Sequence, residues 1–179
     1  MKTSLQTLSI LILVTLIFGC SKKLEEKYSN NNLPVEYKPE KNVIGMVYGE
    51  KHVFTVMTPN GWVLDRKVAK ENNLGSFFYP ESSITPIITY MYAQGWDKDS
   101  VNPNIDVFIK GDIETFKTSN PKLIASNIET IITHDSSRAL IYEFKNLDNA
   151  AGECVAYIDV PSTICVLVYS SKDIKEYKV

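Results

Sequence analysis

The residue types that most often carry acid–base, nucleophilic or metal chemistry are sparse in this sequence. The chain has two histidines, His52 and His134, far apart along the chain. Catalytic triads and zinc sites need several such groups close together. The stretch His134-Asp135-Ser136-Ser137 contains base, acid and nucleophile types. Adjacent residues rarely aim at one reacting atom, and this composition is typical of a turn, so we expect no catalytic residues.

A second acidic group, Asp97 and Asp99 around Lys98, could bind calcium if it lay in a suitable loop. It lacks the glycine and the distal glutamate of a calcium-binding loop, and a solvated loop explains it better. The sequence contains no HExxH, CxxC or GxSxG motif and no glycine-rich phosphate loop. We therefore expect no metal site and no cofactor.

Two tryptophans are the remaining candidates for a binding surface. Trp62 and Trp96 could line a ligand cleft or a partner surface. The alternative is that Trp62 fixes a turn to the core and Trp96 packs beside the start of a helix.

Cys20 is the residue with the most specific chemical signature. It follows an apolar run, Leu8 to Phe18, of about 11 residues, which is too short to cross a bilayer that needs roughly 20. The run matches the hydrophobic region of a secretory signal. Ile17-Phe18-Gly19-Cys20 resembles the bacterial lipobox, although Phe18 is bulkier than usual. This resemblance implies lipid attachment to Cys20 and cleavage after Gly19; an uncleaved anchor helix or a plain signal peptide are the alternatives.

This signal predicts a lipid-anchored protein of the bacterial cell envelope. Ser21 is typical of outer-membrane lipoproteins, so we expect the periplasm or cell surface, at the outer membrane. The net charge of −2, without a basic stripe, argues against a nucleic-acid partner. The expected partners are the membrane, through Cys20, and an envelope protein.

The two other cysteines, Cys154 and Cys165, fall on neighbouring predicted strands and should share a face. A turn near Val160-Pro161 would place them diagonally rather than opposite each other. Disulfide geometry tolerates little misplacement, so two buried free thiols are favoured over a bridge.

The composition divides the chain into a signal peptide (1–19), a lipidated N-terminus with a flexible tether (20–43) and one globular domain (44–179). The tether segment is rich in asparagine and holds two prolines, Pro34 and Pro39.

Alternation and turn residues predict an antiparallel sheet with helices, the α+β class. Strands are expected at 52–57, 62–65, 76–79 and 86–94, the last a central strand covered on both faces. One or two helical turns are expected within 66–73. A longer helix should begin at the N-cap Asn102 with Pro103 as its first residue and end at Asn120-Pro121.

A four-stranded meander should follow, with strands at 123–133, 138–145, 152–160 and 163–170 joined by short polar turns. Ser171 to Tyr177 then predicts the start of a last helix, which is either very short or truncated.

The element order, with the turn Pro59-Asn60-Gly61-Trp62, resembles the PsbP-like superfamily over roughly residues 45–179. This resemblance implies an α/β/α sandwich and a non-catalytic binding or assembly role. We expect a binding module rather than an enzyme. A small envelope hydrolase, with a site assembled from distant residues, is the alternative.

Overall fold

The computed structural model describes residues 38–48, 53–83, 85–175 and 177. Cys20, the signal peptide, most of the tether and His52 lie outside these residues. None of the helices in the described part is long and apolar enough to cross a membrane.

The fold is mostly β, with nine strands and two helices in the described residues. The strands are β1 (Ile44–Tyr48), β2 (Val53–Met57), β3 (Trp62–Leu64), β4 (Ser76–Pro80), β5 (Thr89–Asp97), β6 (Ile124–Ile132), β7 (Arg138–Lys145), β8 (Gly152–Val160) and β9 (Thr163–Ser171). The helices are α1 (Arg66–Glu71) and α2 (Ile105–Ser119).

Seven strands form one antiparallel sheet in the order β3-β4-β5-β9-β8-β7-β6. The predicted meander β6 to β9 is confirmed, because each strand pairs with the next along the chain. β5 pairs with β9 over nine residue pairs and thereby joins β3 and β4 to the meander. The predicted strand at 86–94 therefore lies in the middle of the sheet, although it begins at Thr89 rather than Pro86.

β1 and β2 form a separate two-stranded hairpin. The predicted turn before Trp62 is confirmed: Gly61 has a φ of +77°, and the Trp62 amide donates to the Pro59 carbonyl at 3.0 Å. Glycine accepts this left-handed conformation without steric cost. The turn connects the hairpin to the main sheet, since β2 pairs with β1 and β3 pairs with β4.

Both helices pack on the same face of the main sheet, which we call the helix face. Val68 and Ala69 of α1 pack with Phe77, and residues of α2 pack with Tyr157. Tyr92 packs against both of these groups of buried residues. It lies opposite Phe77 in the ladder, and opposing residues share a face of the sheet.

The opposite face, which we call the hairpin face, is covered near β4 by the β1–β2 hairpin. A side chain at Gly45 would lie 2.4 Å from Ser76 Oγ, and one at Gly75 would lie 2.6 Å from Val47. These glycines therefore allow the hairpin to approach the sheet closely. The α/β/α arrangement requires helices on both faces, whereas in the described residues a strand hairpin lies where the second helical layer was expected.

The helix α2 begins at the N-cap Asn104, two residues after the expected Asn102. Asn104 Oδ1 accepts from the Val107 amide at 3.0 Å, and the predicted end at Asn120 is confirmed. The Asn102 amide instead donates to Asp99 Oδ1 at 2.7 Å, which holds this residue in the preceding turn. An apolar stripe of α2 packs on the sheet, with Ile105, Phe108 and Ile109 buried.

After β9, the described residues form a single turn. The Tyr177 amide donates to the Asp173 carbonyl at 2.9 Å, and the Tyr177 hydroxyl donates to the Glu153 carbonyl at 3.0 Å. The ring of Tyr177 fills the space above Gly152, where a Cβ would lie 2.5 Å from it. This turn therefore covers the beginning of β8.

Candidate functional site

The two candidate tryptophans lie on opposite faces of the sheet, so they do not line one common cleft. Trp62 lies on the hairpin face, with its ring centroid 6.2 Å from that of Tyr169. Trp96 lies on the helix face, 5.2 Å from the Phe108 ring near the start of α2. Both are half-buried, and each packs against an aromatic ring of its own face.

The charged side chains of the loop after β5 form hydrogen bonds and an ion pair with nearby residues. Asp99 Oδ1 accepts from the Val101 and Asn102 amides at 2.8 and 2.7 Å. Lys98 Nζ donates to Asp159 Oδ1 at 2.6 Å and to the Val160 carbonyl at 2.5 Å. In the described part of the chain, no group of three or more histidine, cysteine or acidic side chains could hold a metal ion.

The turn at residues 133–137 is also held by its own hydrogen bonds. Asp135 accepts from the Thr133 hydroxyl and from the Ser137 amide, and these bonds lower the pKa of its carboxyl. Ser136 has a φ of +65°. His134 is exposed. The polar residues of this segment are therefore explained by the turn itself.

Cys154 and Cys165 are free, as the sequence favoured. They share the hairpin face, but Cys154 lies opposite Tyr169 and Cys165 lies opposite Ile158, four positions along the ladder. Cys165 is buried, and burial raises the pKa of its thiol to about 12; Cys154 is half-buried. A thiol with a raised pKa is a poor nucleophile at neutral pH.

Two carboxyl groups at the packing of α2 on β8, the half-buried Asp112 and the buried Glu153, were missed by the sequence reasoning. The Tyr157 hydroxyl donates to Asp112 Oδ2 at 2.5 Å, and burial raises the pKa of Asp112 to about 6. Burial also raises the pKa of Glu153 to about 7, against a hydrogen bond from Ser170. Glu153 Oε2 has no hydrogen-bond partner in the described residues. Glu153 alternates in phase with the buried Val155 and Tyr157, and this phase could have identified a carboxyl group on the core face.

The outward face of the β1–β2 hairpin is apolar and uncharged. The ladder places Ile44 opposite Met57, Met46 opposite Thr55 and Tyr48 opposite Val53 on this face. Five of the six side chains are large and hydrophobic, and Met57 and Tyr48 are 77% and 65% exposed. Antiparallel strands with one buried face usually present polar residues on the other. We call these six residues the outer hairpin surface.

The hairpin is attached to the domain by specific bonds, so its outer surface has a defined position. Arg66 Nη2 donates to the Ile44 carbonyl at 3.2 Å, and the Ser76 hydroxyl donates to the Met46 carbonyl at 3.5 Å. On the inner side, Val47 is buried.

A second exposed apolar region is the outer strand β6. Eight of its nine residues are exposed, and four of them are isoleucines: Ile124, Ile128, Ile131 and Ile132. Within the described residues, its ladder partner is β7 and no strand pairs with its other edge.

Comparison with models of known protein families finds none that matches this chain. Comparison with curated proteins finds no match either.

Proposed function

We propose that the protein is a lipid-anchored, non-catalytic binding module of the bacterial cell envelope, at the outer membrane. Its anchor is Cys20, and its domain (44–179) binds an envelope protein. The lipobox-like sequence before Cys20 supports the anchor, since two or more acyl chains hold a protein stably on a bilayer. The antiparallel sheet with its meander supports kinship with the PsbP-like superfamily; the shared face of both helices argues for a departure from it.

The observation that carries the binding role is the outer hairpin surface. Contiguous exposed apolar surface on a soluble domain marks an interaction site. This surface lies on the first two strands of the domain, directly after the segment that leads from Cys20. It has no charged side chain, so the partner presents an apolar patch rather than a charged one.

The partner surface is tested by photo-crosslinking in intact envelopes. A photoreactive amino acid at Val53 or Met57 should form a discrete adduct with another polypeptide, and one at the exposed Glu114 of α2 should not. Tyr48→Lys, in the Met57 crosslinking background, should reduce the adduct several-fold because it buries a charge in the interface. The same adducts from Glu114, or adducts with lipid alone from Met57, would contradict the proposal.

The anchor is tested separately. Mass spectrometry of the mature N-terminus should show an acylated Cys20, and Cys20→Ala should release the protein from membranes. An unmodified Cys20 in the mature chain would exclude the anchor without affecting the test of the outer hairpin surface.

A further inference from the structure

We propose that two copies of this chain associate through β6, edge to edge and antiparallel, so that their main sheets become continuous. The interface residues differ from those of the outer hairpin surface, and the inference is independent of the proposed partner.

The first argument is the chemistry of the β6 edge. Natural proteins usually protect an edge strand with lysine, proline or a short length. β6 has nine residues without lysine, arginine or proline, and Glu129 is its single charge. Ile124 and Ile132, near its two ends, are 54% and 67% exposed. Such a strand is a template for pairing with another strand.

The second argument is a bulge in the middle of β6. Asn127 lies opposite Tyr142 and Glu129 lies opposite Ile141, so Ile128 is the extra residue. A bulge is itself a device that can protect an edge. Here it has another consequence, because it shifts the alternation of side chains between the two halves of the strand.

This shift allows a two-fold register that is centred on the bulge. In a two-fold antiparallel pair, opposing residues must lie on the same face of the sheet. Ile124 and Ser126 share the hairpin face with Glu129 and Ile131, as their partners on β7 show. A register centred on the bulge therefore pairs Ile124 with Ile131 and Ser126 with Glu129, twice each. Without the bulge, these residues would lie on opposite faces.

The third argument is charge. In this centred register the two Glu129 carboxylates each lie opposite a serine hydroxyl rather than each other. Like charges directly opposite would be destabilising, and the isoleucine pairs add apolar contact on the hairpin face. We therefore infer that the occupant of this edge is a second copy of the chain and not an unrelated strand.

The oligomeric state of the full chain, measured by light scattering in detergent with the detergent mass subtracted, tests the proposal. The wild-type chain should be a dimer. The double variant Ile124→Lys/Ile131→Lys should be a monomer, since it places lysines opposite each other. Met57→Lys, on the outer hairpin surface, should leave the dimer intact. A monomeric wild-type chain, or a dimer that persists in the double variant, would overturn the proposal.

The register is tested by oxidative crosslinking between differently tagged copies, with copper phenanthroline as oxidant. A Ser126→Cys copy should crosslink to a Glu129→Cys copy. Two Ser126→Cys copies, or two Glu129→Cys copies, should crosslink at least tenfold less. Equal yields in all three combinations would overturn the register, and a crosslink to a different protein would overturn self-association. The outer hairpin surface plays no part in this readout. If the proposed binding role of that surface were wrong, the crosslinking results would stay the same.

Discussion

The two edges of the main sheet differ in how they are protected. At one edge, β3 has only three residues, and the amides of Glu40 and Leu64 each donate to the other's carbonyl at 2.9 and 2.8 Å. Ion pairs of Glu40 with Arg66 and of Lys41 with Glu81 lie beside this bridge. At the other edge, β6 has nine residues and, in the described part of the chain, no such cover. The β3 edge of the sheet is thus covered by a neighbouring segment, whereas the β6 edge exposes isoleucines.

The exposure of β6 follows from the position of α2. Phe116 packs edge-on against Phe144 of β7, with their centroids 5.1 Å apart, and α2 contacts β8. β6 extends beyond this cover, so its side chains remain exposed on both faces. Exposure of this kind indicates a surface used for association rather than for folding.

The largest expected effect is on stability, and it uses matched truncations at the two edges. Leu64→Ala removes a side chain that is 1% exposed and should lower the free energy of unfolding by about 2–5 kcal/mol. Ile132→Ala, at the 67% exposed position, should change it by about 0.5 kcal/mol or less. Urea unfolding at a concentration where the chain is monomeric measures both. Equal losses would mean that the edges do not differ as described.

A second effect, of intermediate size, concerns the half of the sheet that carries the free edge. Glu153 has a pKa raised from 4.5 to about 7, so between these values the folded state holds a proton that the unfolded state has released. The free energy of unfolding should therefore fall as pH rises from 4.5 to about 7, by an amount on the order of 3 kcal/mol in all, and level off above that. Urea unfolding at several pH values between 4 and 8 should show this slope.

The control for this slope is Glu153→Gln, which cannot ionise and should flatten it. Asp112→Asn removes the other carboxyl group with a raised pKa. It should leave the pH dependence of the unfolding free energy near pH 7 unchanged and weaken it below pH 6. An unchanged slope in Glu153→Gln would show that Glu153 is not its source.

The smallest effect separates the backbone bridge at β3 from the ion pair beside it. Glu40→Ala removes a pair with Arg66 in which both side chains are about half exposed, and should cost roughly 1 kcal/mol or less. Glu40→Pro also removes the amide that donates to Leu64, and should cost about 1 kcal/mol more. Amide exchange around Leu64 should accelerate more in the proline variant. Equal exchange in the two variants would mean that the bridge does not protect this edge.

Much of the fold could be predicted from local patterns. The strands β6 to β9 fall within two residues of their predicted ends, because alternation and polar turns define each one without distant contacts. The start of α2 was wrong by two residues, since Asn102 and Asn104 can both cap a helix and the choice depends on Asp99. The position of the hairpin and the face of the sheet on which both helices lie could not be predicted, because they depend on contacts such as Val47 with Gly75 that join distant segments.

The binding role stays a prediction. A binding role was expected from the missing catalytic motifs, but the tryptophans chosen for it lie on opposite faces. The exposed isoleucines of β6 and the exposed Ile44 and Met46 of β1 are residue types that also fill protein cores. A sequence does not say which apolar side chains remain uncovered, because that depends on what packs against them.

The bridge at Glu40 has a mechanical consequence if the anchor proposed at Cys20 holds the protein by its N-terminal segment. Any pull transmitted along that segment reaches the sheet at Glu40 and would load the short strand β3 first. β6 is six strand spacings away, about 29 Å at roughly 4.8 Å each. The edge proposed for self-association is thus the part of the sheet farthest from the point of load. A pair of molecules could stay joined while the strands nearest their anchors yield.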